Sequence, residues 1–310
     1  MCLAESGLLQ LVEVPMCDAC YGEYHPAYVK GRLEFRRRRS VRFQAILLAV
    51  EVRGAERAIA ALAKMVGGPL SRISSAGVFI MALTIALALC AILMRLVNPG
   101  IIELARSLWS KAPAGYGLVG VPGLDPMLPL LQGWIAVVIA LTVHEFGHGI
   151  VATRLGYTVK SMSLLFVGPI LLGALVSVDG RRGKDLYRVV GAGPTSNIIA
   201  ALAALAALLL LNGWAWSPML LMVPPELARL RGVDVRLELW ASILFYVWFM
   251  NLLFALANAA PMLVTDGSYL LLLTLERLGV RRARLAAKLA SFAFVGALLA
   301  VALLERLPPP

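Results

Sequence analysis

Across 310 residues the chain is 60% hydrophobic and only 15% charged, with a mean hydropathy of +0.82. Soluble globular chains are usually about 45–50% apolar and about 25% charged, so composition excludes an ordinary soluble domain and marks an integral membrane protein. The net charge of +11 comes from basic residues between apolar runs, with no basic stripe interleaved with aromatics; this points away from nucleic acid and towards positive-inside topology and contact with anionic lipid.

Residues 1–73 read as a small polar cytosolic domain. The start is not a secretory signal: it lacks an early basic region, and Glu5, Glu13 and Asp18 interrupt its apolar residues. Four cysteines are too few for a disulfide framework. Cys17 and Cys20 form one CxxC, with Cys2 and His25 as further candidate ligands, but without a second CxxC a closed four-ligand zinc site is poorly supported. The RRRR run at 36–39 is expected at the membrane surface. LEFRRRRSVRFQAILLAVEV (33–52) is rich in β-branched and aromatic residues and predicts one or two strands. GAERAIAALAKM (54–65) has helical spacing, and Gly67-Gly68-Pro69 then breaks it.

Five apolar segments are long enough to span, since a span needs about 20 residues: 76–97, 130–153, 187–212, 238–260 and 285–304. Residues 1–75 hold eleven Lys or Arg, residues 154–188 six and residues 276–288 five, whereas 98–129 and 213–237 hold two and three, offset by acids. The basic segments alternate, which predicts a cytosolic N-terminus and an external C-terminus. Two further apolar stretches fall short of a span. SMSLLFVGPILLGALVSVD (161–179) is interrupted by Gly168, Pro169 and Gly173 and predicts a β-hairpin dipping into the membrane, where strand edges are tolerated only under protein or beside a wet cavity. DGSYLLLLTLERLG (266–279) predicts a short interfacial helix.

The second span contains HEFGH. On a helix, positions i and i+4 share a face, so His144 and His148 can grip one metal ion, and Glu145 beside them can reach a metal-bound water. This is the zinc-hydrolase arrangement, with the glutamate as general base. An ionised side chain at the bilayer centre costs about 2.5–3.5 kcal/mol, which argues against three polar groups sitting there as mere packing. Zinc needs a third protein ligand, and Asp266 is a membrane-embedded acid just past Asn258 and Pro261. Pro261 breaks the helix there. From spacing alone Asp266 reads either as a ligand or as the N-cap of the helix that follows.

HEFGH in a span, GAGPTSN (191–197) at the start of the next, and NAAPMLVTDG (258–267) closing a third resemble the site-2 protease family of intramembrane zinc metalloproteases. The family pattern Asn-x-x-Pro-x-x-x-x-Asp-Gly falls on Asn258, Pro261, Asp266 and Gly267; Ser268 stands where a second glycine is usual. The resemblance covers roughly residues 130–300 and not 1–73, with no insert long enough for a PDZ domain. It implies one Zn2+ per chain held by His144, His148 and Asp266, Glu145 as base, and Asn258 against the substrate backbone or oxyanion. It implies that Gly193 and Pro194 shape a helix start and that Asn197 packs toward the site, where an ordinary interhelical hydrogen bond is the alternative role. It also implies that the hairpin pairs with an unwound transmembrane substrate by strand addition; Leu175 and Ser177, in the second arm, are expected to give N–H groups to that edge. Two competitors stay open: a membrane zinc protease of the prenyl-protein or quality-control type, which takes a downstream glutamate as third ligand, and a non-catalytic membrane scaffold.

Overall fold

The computed structural model describes residues 41–44, 47–109, 121–125, 128–167, 170–179, 185–211, 239–262 and 265–306. Among them are eight helices and four strands. Five helices are long and apolar enough to cross a membrane: α2 (Gly67–Val97), α4 (Leu130–Arg154), α5 (Leu186–Leu211), α6 (Leu239–Ala259) and α8 (Ala283–Arg306). The others are α1 (Ala55–Met65), α3 (Pro99–Trp109) and α7 (Asp266–Arg277). Cys2, Cys17, Cys20, His25 and the RRRR run lie outside the described residues.

Four of the expected spans match these helices to within two residues. The first begins at Gly67 rather than near 76, because Gly67-Gly68-Pro69, which follows the end of α1 at Met65, also opens α2. Pro69 sits in the first turn, where its missing N–H has no intrahelical partner to lose. Helix α3 was not expected. Its signal is Asn98-Pro99: the Asn98 side-chain oxygen accepts the Gly100 N–H at 3.1 Å, and proline then takes the first helical position.

The chain forms two compact units, and α2, α4 and α5 each run from one into the other. In the first unit, strands β1 (Val41–Gln44), β2 (Leu47–Glu51), β3 (Thr158–Val167) and β4 (Ile170–Asp179) form one antiparallel sheet in that order. Strands β3 and β4 pair antiparallel across the segment expected at 161–179; Gly168 and Pro169 lie outside the described residues. The described part of the N-terminal segment is built into the same sheet: β2 pairs with β3, Leu47 opposite Val167 and Glu51 opposite Ser163. Helix α1 covers this sheet, burying Ala55, Ile59 and Ala63 against Met162, Val176 and Ile150. Gly149 of α4 permits this approach, since a Cβ there would come within 2.9 Å of the fully buried Ile59 side chain. Farther along α4, Val151 and Ala152 pack against Val189 and Ala192 of α5.

In the second unit, the Arg95 guanidinium donates to the Glu305 carboxylate at 2.8 Å, joining α2 to the end of α8, and Arg106 of α3 donates to the Leu304 carbonyl at 2.8 Å. Ile92, Phe294 and Val301 pack beside Ala260 and Met262. Helix α6 ends at Ala259, two residues before Pro261, as the restriction on residues preceding proline requires. The Thr265 hydroxyl lies within hydrogen-bond distance of the Ala260 and Met262 carbonyls and folds the turn back on itself.

Helix α7 then starts against the last carbonyls of α6. A Cβ on Gly267 would overlap the carbonyl oxygens of Ala259 and Ala260, which are backbone and cannot step aside. Gly267→Ala is therefore expected to push α7 away and destabilise the chain by about 1–3 kcal/mol, the usual cost of overpacking. Thermal unfolding of the variant in detergent checks this; a midpoint equal to wild type would show that the contact yields freely.

Candidate metal centre

His144, Glu145 and His148 occupy the inner part of α4. His144 and Glu145 are buried and His148 is half-buried. The two histidines lie one turn apart on one helical face. The Nδ1 of His148 lies 2.7 Å from the Val189 carbonyl. A carbonyl oxygen can only accept, so this ring carries a proton on Nδ1 and, when neutral, presents a lone pair on Nε2.

His144 reaches the same state through side chains. Its Nδ1 lies 2.6 Å from Asn197 Oδ1. The Asn197 Nδ2 donates to the Ala140 carbonyl and to Asn251 Oδ1, both at 2.9 Å, and Asn251 Nδ2 donates to the Val247 carbonyl at 2.8 Å. The two backbone carbonyls fix the amide orientations, so Asn197 offers oxygen to His144, and the His144 proton sits on Nδ1.

On the other side of that ring, Asp266 Oδ2 lies 3.0 Å from His144 Nε2. Asp266 is the first residue of α7, and Thr265 holds the N-cap position. The cap reading of Asp266 is thus set aside. With a proton on His144 Nδ1, Nε2 faces the carboxylate oxygen, and the two atoms are held together by a shared cation, either a proton or a metal ion. His144, His148 and Asp266 each offer one ligand atom, all within 4.8 Å of one another, a separation on the scale of two zinc–ligand bonds of about 2.0–2.2 Å. Two imidazoles and one carboxylate are a donor set that suits zinc and leaves a position open. The residues present fit the ion.

Glu145 points elsewhere. Its Oε2 accepts the Val176 N–H of β4 at 2.9 Å. That bond also reveals the parity of β4. Met162 stands opposite Val176 and uses its carbonyl on Val52, away from β4. The Met162–Val176 pair is therefore a non-hydrogen-bonded pair, and Ser161–Ser177 and Ser163–Leu175 are the bonded ones. The backbone groups of Leu175 and Ser177 are spent on β3. The groups turned to the outer edge of β4 belong to Ala174 and Val176, and not to Leu175 and Ser177 as expected. Gly173 stands opposite Leu165, beside an irregularity in the ladder.

The remaining predicted residues are placed as follows. Gly193 and Pro194 lie well inside α5, which begins at Leu186, so they do not shape its start. Pro194 is fully buried, one turn before Asn197. Asn258 donates its amide to the Phe254 carbonyl of its own helix at 3.1 Å. Sequence reasoning missed Asn251. Its signal was available: a fully buried asparagine in the middle of an apolar span.

The sequence profile of peptidase family M50 matches residues 132–303, a stretch that includes all three candidate ligands and Glu145. An uncharacterised protein of Methanocaldococcus jannaschii is 32% identical over 129 residues, which are 40% of this chain and 35% of the relative's own length. No solved structure matches the chain. The family match covers more than half of the 310 residues and is joined by five helices of spanning length; the chain belongs to peptidase family M50, the site-2 protease family of membrane metalloproteases.

Proposed function

We propose that this chain is an intramembrane zinc endopeptidase that hydrolyses peptide bonds in the transmembrane segments of other proteins, either to release membrane-tethered regulators or to clear signal-peptide remnants. The observation that supports it most directly is the approach of the His144 ring to the Asp266 carboxylate, beside a second histidine and an acid on the same helix. His144, His148 and Asp266 would hold one zinc ion. When bound, zinc supplies Lewis acidity, lowering the pKa of a water to about 7 and polarising a carbonyl.

Glu145 takes the proton of the attacking water and returns it to the leaving amine. The Val176 N–H holds this carboxylate in place. Asn258 steadies the developing oxyanion, the electrostatic part of the catalysis. A substrate helix hides its carbonyls, so it must unwind; an unwound strand then pairs with the outer edge of β4, through backbone rather than side chains. The alternation of basic segments supports a cytosolic N-terminus and an external C-terminus in a multi-pass cell-membrane protein. The prenyl-protein type of protease is less well supported, because the acid beside His144 is an aspartate. A non-catalytic scaffold would have no use for the converging acceptors.

Glu145→Gln is expected to retain one zinc per chain and to lose peptidase activity by about 10²–10⁴-fold, the range for removing a general base. Full activity in that variant would rule out the assigned mechanism. Asp266→Ala should leave the protein folded in detergent while zinc per chain falls well below one after dialysis. An unchanged zinc content would remove Asp266 from the ligand set.

The strand parity gives a sharper test of docking. Ala174→Pro deletes an outward N–H without touching the β3–β4 ladder, and proline is tolerated on such an edge. It is expected to impair cleavage of a transmembrane substrate with zinc content unchanged. Leu175→Pro should instead break the hairpin and lower thermal stability. Wild-type cleavage by Ala174→Pro would make the hairpin a plug rather than a docking edge.

A further inference from the structure

Asn251 lies on α6, away from the signature residues of that helix, and is fully buried. Its position in the network is directional. The Val247 carbonyl accepts from Asn251 Nδ2 at 2.8 Å, which turns Asn251 Oδ1 toward Asn197. Asn197 Nδ2 meets that oxygen and the Ala140 carbonyl, each at 2.9 Å. Both amide protons of Asn197 are then committed, and its oxygen is left for the His144 Nδ1 at 2.6 Å.

Rotating the Asn197 amide by half a turn would set its oxygen against two acceptors and its NH2 against His144. The imidazole would then place its proton on Nε2, the nitrogen that faces Asp266. A ring with its proton on Nε2 has no lone pair there for a metal. The Ala140 carbonyl alone opposes this flip with one contact; Asn251 adds a second on the other proton.

We propose that Asn251 is a positioning residue for the metal centre. Acting through Asn197, it holds the His144 proton on Nδ1 and reserves Nε2 for the metal. The proposal rests on the zinc-centre reading above, and it assigns Asn251 no contact with metal or substrate. Outer partners of metal-binding histidines are worth about 10–100-fold in metal affinity. Asn251 stands one residue further out, so about tenfold is expected.

The chain has only three histidines, so histidine-selective ¹⁵N labelling of the full-length protein in detergent gives a readable spectrum. In the zinc-loaded wild type, His144 should be protonated at Nδ1 and metallated at Nε2; the opposite assignment overturns the proposal without any variant. Zinc affinity by chelator competition should fall about tenfold in Asn251→Leu. In an Asn197→Leu background the same change should add no further loss, since the path runs through Asn197. A lower unfolding temperature with unchanged zinc affinity would make Asn251 purely structural and end the proposal. Wild-type protein that binds no zinc would instead bring down the metalloprotease reading itself.

Discussion

The centre depends on holding an imidazole nitrogen and a carboxylate oxygen together in a largely buried place. A carboxylate oxygen 3.0 Å from an imidazole nitrogen, with a second imidazole one turn away, is costly in a medium of low dielectric unless a cation joins them. Much of the surrounding structure holds that arrangement in place. The two carbonyls at Ala140 and Val247 orient Asn197 and Asn251, the Val189 carbonyl orients His148, and the missing side chain of Gly267 lets α7 begin where its first residue meets His144. Each device uses backbone or a neutral amide, which can be buried without an ionised partner.

The division of the helices follows from the same constraint. The most apolar windows of α2 and α8 are only 17% and 22% buried within the protein, against 56% for α4 and 50% for α6. The outer pair can be apolar on nearly every side, because lipid asks nothing else of it. The inner pair must satisfy polar groups, so His144, Glu145 and Asn251 sit there. Arg95 and Glu305 are placed at helix ends instead.

How much was legible in the sequence follows from this. The spans were readable because hydropathy needs only composition over about 20 residues. The candidate ligands in HEFGH and at Asp266 were legible because a possible ligand set is a pattern of residue types. The partners of those ligands were not, since Val189, Val176, Ala140 and Val247 contribute backbone atoms, and any residue carries those. Asn251 was readable in principle, as a polar group in an apolar run, yet only the fold shows what it faces. The start of α2 was misplaced because proline punctuates a sequence in two opposite ways: it ends a helix from the inside and begins one from the first turn.

The hairpin shows a different limit. The interruptions at Gly168, Pro169 and Gly173 marked a segment too broken to span, and two strands, β3 and β4, occupy it. Sequence cannot tell which backbone groups point to which neighbour, because that depends on register and on what lies alongside. Here β2 takes the other side of β3, so among the described strands β4 is left as the edge that meets Glu145 of α4. Val176 then has two claims on its N–H: the Glu145 carboxylate that holds it now, and any strand that pairs along that edge. A strand that paired at Ala174 would leave Glu145 undisturbed, whereas one that reached Val176 would compete with the Glu145 carboxylate for one proton. Under the proposed docking, the Val176 N–H is the point of the edge at which an incoming strand would meet the Glu145 carboxylate, so the sheet and not the side chains of the substrate would set the register.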